Sequence, residues 1–130
     1  MPVLIEGYTE DELLTFEPSE FDAIVFTNEP IVFHAGSAEI LGRFKLSPST
    51  ITIELAHIDG GGEGVLPTLG SFTKRLAHER GVNSIEWIVH AVTCANPNPK
   101  LKAVLARRGF TVRNVEGSGD VYYQLEDLHR

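Results

Sequence analysis

The chain is poor in cysteine, in long apolar runs and in basic residues, and each shortage excludes a class of protein. Its single cysteine, Cys94, permits no intramolecular disulfide and provides no Cys pair for a structural zinc site. No stretch approaches the roughly 18 consecutive apolar residues of a membrane-spanning helix. Residues 1–6 lack the basic and apolar regions of a secretory signal, so we expect a cytoplasmic protein without a membrane partner.

Basic residues are scarce overall and absent from the first 39 positions. The formal net charge of −7 argues against nonspecific nucleic-acid binding as the main function. Residues 1–39 hold nine carboxylates and no Lys or Arg, whereas residues 64–113 hold eight basic side chains against only Glu79 and Glu86. The basic half suits a ligand with several phosphates, and the acidic half suits a cationic acceptor such as an amine. Solvated helix faces are the alternative explanation for any one of these charges.

Length and histidine spacing set further limits. At 130 residues with 42% hydrophobic composition, the chain fits one globular domain over residues 1–130. The five histidines show no tight ligand spacing, so no metal site is expected.

The first 50 residues predict a short helix followed by a meander of strands. Thr9 is typical of an N-cap before an acidic first turn, and Pro18 is expected to stop that helix. Segments 21–27, 31–35 and 39–46 are rich in strand-forming residues and are separated by turn residues.

The second half alternates strands and helices. A strand over 51–58 leads through glycines to a helix over 66–80, and a strand over 84–92 leads through a turn to a helix over 100–108, which Gly109 closes. This order yields parallel strands joined by right-handed crossovers. The predicted fold is therefore α/β with a mixed sheet, in which antiparallel N-terminal strands precede a βαβα C-terminal half.

The glycine-rich turn over 59–65 carries the strongest functional signal. Glycines allow positive φ and bring consecutive N–H groups close to an anion, and the unpaired amides of the next helical turn add partial positive charge. This combination is typical of a phosphate cradle. Glycine-rich turns also occur at hairpins and helix entries for conformational reasons alone, so both explanations stand.

The run Gly60-Gly61-Gly62-Glu63-Gly64, the strand 85–89, the turn Asn96-Pro97-Asn98-Pro99 and the pair Gly109-Phe110 together resemble the GNAT superfamily of N-acetyltransferases. The resemblance covers residues 51–128 and implies an acyl-CoA N-acyltransferase fold. It also implies that the glycine turn holds the pyrophosphate of acetyl-CoA and that the preceding strand lines the pantetheine arm. The implied contacts are Ala56, Ile58, Gly60, Gly61, Gly62, Glu63, Gly64, Val65 and Asn96. Asn96 equally suits a purely turn-forming role before Pro97.

The chain departs from the family pattern at two positions and in its short N-terminal part. Asp59 stands where the family usually has Gln or Arg, and Leu105 stands where it often has a Tyr general acid. The family commonly builds its acceptor pocket from two N-terminal helices, for which this chain has little sequence. A pocket completed by homodimerisation is therefore a hypothesis.

Attack of an amine on a thioester needs a base that removes the ammonium proton. Glu54 and His57 are the candidates on the strand before the glycine turn, and the resemblance favours Glu54. In a regular strand these two side chains point to opposite faces, so only one can reach a shared cleft unless a bulge intervenes. His90 titrates in a useful range, but a half-buried, hydrogen-bonded histidine is the commoner case.

The sequence thus predicts an acetyltransferase that moves an acetyl group from acetyl-CoA to a small amine or a protein amine by direct attack. Three alternatives remain open. The first is a catalytically silent family member that binds CoA or a protein. The second is an interaction module that has lost the ligand, and the third is a different enzyme with a phosphate-bearing ligand.

Overall fold

The computed structural model describes residues 3–27, 29–35, 37–59, 65–90, 99–117 and 119–128. Its elements, in chain order, are β1 (Val3–Ile5), β2 (Tyr8–Thr9), α1 (Glu10–Leu14), α2 (Pro18–Ile24), β3 (Ile31–Ala35), β4 (Ala38–Leu46), β5 (Thr50–Asp59), α3 (Val65–Arg80), β6 (Ser84–Val89), α4 (Pro99–Arg107), β7 (Thr111–Val115) and β8 (Gly119–Asp127). Within these ranges, every helix is too short or too polar to cross a bilayer.

The eight strands of the described residues form one sheet in the order β2-β1-β3-β4-β5-β6-β8-β7. Among these strands only β5 and β6 pair in parallel, and α3 makes the crossover between them. The other neighbouring pairs are antiparallel. The predicted mixed sheet, with antiparallel N-terminal strands and a parallel β–α–β unit after them, is thereby confirmed.

The hydrophobic core lies on one face of this sheet. Alternate residues of β5, namely Ile51, Ile53 and Leu55, are at most 1% exposed and belong to a cluster that contains side chains from all four helices. The helical members of that cluster are Leu13, Phe21, Leu66, Leu69, Phe72, Leu76, Ala77 and Leu105. The opposite face of β4, β5 and β6, here called the polar face, carries Arg43, Thr52, Glu54 and Glu86. The ionisable side chains of these central strands therefore gather on the polar face.

Segment 21–27 was predicted as a strand, and this is wrong. Pro18 occupies the first turn of α2, where its missing N–H costs nothing, rather than only ending the helix before it. Phe21 and Val25 lie four residues apart, and both are buried. Burial of this helical face outweighs the strand propensity of its aromatic and β-branched residues.

Acidic N-terminal residues and basic α3 residues pair with each other. Arg80 Nη2 lies 2.5 Å from Asp22 Oδ1, and its guanidinium carbon lies 5.2 Å from the centroid of the Phe21 ring. Arg75 Nη1 lies 2.8 Å from Glu10 Oε2 and 3.0 Å from Asp11 Oδ1. Some of the carboxylates of the acidic N-terminal segment thus form ion pairs that join α1 and α2 to α3.

Thr9 forms the predicted N-cap. Its Oγ1 accepts from the Glu12 amide at 3.2 Å, and Glu12 Oε1 accepts from the Thr9 amide at 3.0 Å, which completes a capping box. Gly109 follows α4 with φ of 89°, as expected for a helix-closing glycine. The short strands β1 and β2 and the hairpin β7–β8 were not predicted.

Candidate active site

The parallel strands β5 and β6 stop pairing before β5 ends. Their register runs from Thr50 and Ser84 to Leu55 and Val89, and the His90 amide donates to the Leu55 carbonyl at 2.9 Å. β5 continues to Asp59 while still paired with β4. In the described part of the chain, residues 56–59 thus have no strand neighbour on the β6 side. This opening lies at the carboxyl ends of parallel strands, where α/β proteins usually bind ligands.

A β-bulge sits at the mouth of this opening. Leu41 lies opposite His57, whereas the next residue, Gly42, lies opposite Leu55, so Ala56 is an extra residue in β5. Glu54 lies opposite Arg43, which shares a face with Leu41 because the two are two residues apart. The expectation that Glu54 and His57 occupy opposite faces is therefore corrected. The bulge brings both to the polar face.

Gly42 makes this close approach of β4 and β5 possible. A Cβ atom at Gly42 would lie 2.8 Å from the Glu54 carbonyl oxygen and 3.2 Å from Phe33 Cε1. Contacts that short do not occur between a real Cβ and a backbone oxygen, so a side chain here would push the strands apart. Gly42 was not predicted as a site residue, although an isolated glycine inside a strand pattern is a known sign of a bulge or a close backbone approach.

Glu54 is held from two sides on the polar face. Its Oε1 accepts from Arg43 Nη2 at 2.6 Å, and its Oε2 lies 2.7 Å from His90 Nε2. The Glu54 side chain is only 12% exposed. Burial raises the pKa of Glu54, but the hydrogen bonds and charges of Arg43 and His90 outweigh it and lower the pKa from 4.5 to about 2. Glu54 is thus a firmly ionised carboxylate that links β4, β5 and the end of β6.

His90 and Arg43 were not chosen as site residues from the sequence. Glu54 lies opposite Ile88 in the register, and His90 follows Ile88 by two residues on the same face. Its side chain is 23% exposed. A usable signal was available, because the alternation of β6 places His90 at the carboxyl end of a strand next to the strand of Glu54.

A second polar cluster lies beside the first. Glu86 accepts from Thr52 Oγ1 at 2.9 Å and from Tyr123 Oη at 2.6 Å. Burial and the hydrogen bond to Glu86 raise the pKa of Tyr123, while Arg113, whose guanidinium carbon lies 4.5 Å from the ring centroid, lowers it slightly. Tyr123 is therefore a neutral donor at neutral pH, and the polar face carries hydrogen-bonded acids on both central strands.

No protein-family model matches the sequence, and a search of curated proteins finds no match. Among solved structures, the chain is similar to Ard1 from Thermoplasma volcanium, with 12% identity, full coverage of both chains and a TM-score of 0.46. It is also similar to PaiA N-acetyltransferase from Thermoplasma acidophilum in complex with coenzyme A, with 14% identity, coverage of 95% of this chain and 99% of that one, and a TM-score of 0.45.

The remaining predicted site residues fall into three groups. Gly60, Gly61, Gly62, Glu63, Gly64 and Asn96 lie outside the described residues. Ala56 is the bulge residue, whereas Ile58 lies opposite the buried Ile40 and packs against the core. Val65 is the first residue of α3.

Leu105 is fully buried in the core, so the position where the family often has a Tyr is filled by a packed leucine. Within the described ranges, no three His, Cys, Asp or Glu side chains group as metal ligands would.

Proposed function

We propose that this protein is an N-acetyltransferase that transfers the acetyl group of acetyl-CoA to an amine by direct attack. The observation that supports this most is the opening between β5 and β6, which begins at Leu55 and lies next to the bulge at Ala56. A strand edge offers backbone donors and acceptors, and the two amides of a pantetheine arm can pair with such an edge as an added strand does.

The residues expected to hold acetyl-CoA follow from this placement. Ala56 and Ile58 belong to the part of β5 beside the opening, and Val65 begins the 16-residue helix α3. The first turn of such a helix presents unpaired amides that suit a pyrophosphate. We assign the turn 60–64 as the cradle and Asn96 as a further contact, on the sequence pattern alone. Acetyl-CoA would supply an activated thioester carbonyl at the mouth of the opening.

The polar face provides what the attacking amine needs. Glu54 and His57 reach the same face because of the bulge, so both remain candidates for proton removal. An ionised carboxylate at Glu54 also favours a cationic acceptor nearby. The acceptor class we propose is therefore a small amine or a protein amine. We also propose that the protein is soluble and cytoplasmic.

A catalytically silent protein that binds CoA or another protein is the second candidate. The buried Leu105 favours it, because a leucine cannot protonate a departing thiolate. Asp59 at the end of β5 also favours it, because a carboxylate near a pyrophosphate is repelled.

Two measurements test the proposal. Titration calorimetry with acetyl-CoA should show binding, and thiol release with a panel of amines should show turnover. Binding without turnover for any amine would support the silent candidate. Gly62→Leu should abolish binding because the side chain would occupy the cradle. Gly70→Ala in α3, where a Cβ meets nothing within 4 Å, is the control and should bind as the wild type does. Unchanged affinity of the Gly62→Leu variant would falsify the cradle assignment.

A further inference from the structure

We propose that His90 removes the proton from the acceptor ammonium group, and that Glu54 is the positioning residue that holds the His90 imidazole. This inference rests on the proposed function, since it concerns the proton that an amine must lose before it attacks a thioester. It also changes the part given to Glu54, which acts through His90 rather than as the base itself.

His90 is fixed in place by both its backbone and its side chain. Its backbone amide donates to the Leu55 carbonyl at 2.9 Å, and its Nε2 lies 2.7 Å from Glu54 Oε2. The imidazole therefore stands at the point where β5 and β6 separate, beside the bulge. A catalytic base must be held in one orientation next to the reacting group, and these two contacts provide that.

Glu54 is poorly suited to accept the proton itself. The hydrogen bonds from Arg43 and His90 overcome the effect of burial and lower the pKa of Glu54 to about 2. A base works best when its pKa lies near the operating pH, and the pKa of this carboxylate lies far below neutrality. Arg43 thus keeps Glu54 ionised and leaves proton uptake to the imidazole.

The contact with Glu54 also decides which tautomer of the His90 ring is present. An ionised Glu54 only accepts hydrogen bonds, so Nε2 carries the hydrogen and Nδ1 carries the lone pair. Among the described residues, Nδ1 has no hydrogen-bond partner. In the proposed step an N–H bond of the ammonium group breaks, the proton moves to Nδ1, and the electron pair stays on the now neutral amine. The resulting imidazolium is stabilised by the negative charge of Glu54.

His57 is the competing base on the same face. Its side chain is exposed, and the described part of the chain offers it no hydrogen-bond partner that would fix its ring. The titratable and charged groups on the polar face around His90 are Glu54 and His57 of β5, Arg43 of β4, Glu86 of β6, Arg113 of β7 and Tyr123 of β8. Of these, only Glu54 is hydrogen-bonded to the His90 ring within the described ranges.

The test compares thiol release and acetyl-CoA affinity for the wild type and single variants, using the amine that gives the fastest wild-type turnover. His90→Gln should lower kcat by about 10²- to 10⁴-fold, the usual contribution of a general base, while the Kd for acetyl-CoA stays within about twofold. The pH profile of kcat for the His90→Gln variant should also differ from that of the wild type. His78→Gln, an exposed position on α3, is the matched control and should keep the wild-type rate.

Glu54→Gln tests the positioning role through kcat and acetyl-CoA affinity together. Without the carboxylate the His90 ring loses the partner that orients it, so kcat should fall while the Kd for acetyl-CoA stays within about twofold. Glu54→Asp, which retains the charge, should restore part of the lost kcat.

The outcomes separate the two proposals. A wild type without acetyl-CoA turnover overturns the proposed function and, with it, this inference. An active wild type whose His90→Gln variant keeps its rate and pH profile overturns the inference alone. The same holds if His57→Gln, rather than His90→Gln, causes the large loss of kcat.

Discussion

The ionised Glu54 should make the folded protein lose stability in acid in a way that can be calculated. Its pKa is 4.5 in an unfolded chain and about 2 in the fold. Because the folded value is the lower one, the stabilisation is complete well above pH 4.5 and is lost as the pH falls toward 2. A pKa difference of about 2.5 corresponds to about 3 kcal/mol in total, of which about 1.4 kcal/mol is already lost at pH 3.5.

Glu54→Gln removes this titration and leaves the other carboxylates in place. Between pH 6 and pH 3.5, the free energy of unfolding of the variant should therefore fall by about 1.4 kcal/mol less than that of the wild type. Urea unfolding can be followed by the fluorescence of Trp87, which is the only tryptophan and is 4% exposed. Glu39→Gln, at a side chain that is 61% exposed, is the control and should follow the wild-type curve in shape. If the free energy of unfolding depends on pH in the same way for the wild type and Glu54→Gln, the argument that Glu54 stabilises the fold as an ionised group is refuted.

Three further changes test the packing around the site. Gly42→Ala should destabilise the fold by about 1–3 kcal/mol in urea, because its Cβ would meet the Glu54 carbonyl, and Gly70→Ala should not. Tyr123→Phe should cost about 1–2 kcal/mol by the same assay, since Glu86 loses its 2.6 Å donor; an unchanged midpoint would show that solvent replaces it. Arg80→Lys should lower the thermal midpoint, because lysine loses the planar contact with the Phe21 ring; an unchanged midpoint would mean that this contact adds nothing to stability.

The sequence predicted those elements whose own periodicity decides their structure. β3, β4, β5, α3 and α4 begin and end within one or two residues of the predicted bounds. The segment 21–27 was misread because its composition favours a strand, whereas packing against α3 makes it a helix. β1 and β2 have only three and two residues, so their existence depends on pairing with β3 and with each other rather than on any local pattern.

The site was predictable only where one strand contained it. Glu54 and His57 could be chosen because they precede the glycine turn. Their common face could not be predicted, because the bulge depends on how β4 pairs with β5. Arg43 and His90 come from two other strands, 11 and 36 positions away from Glu54 in the sequence. Contacts of that kind follow from sheet register, which a single sequence does not fix.

A crystal structure with acetyl-CoA would test the central claim most directly. The account predicts pantetheine density along β5 beyond Leu55, in the opening beside β6, with the pyrophosphate at residues 60–64 and the thioester near His90. Density elsewhere would contradict it, for example in the cavity of about 500 Å³ that Phe26, Phe44 and Lys45 help to line. A map without ligand at saturating acetyl-CoA would contradict it equally.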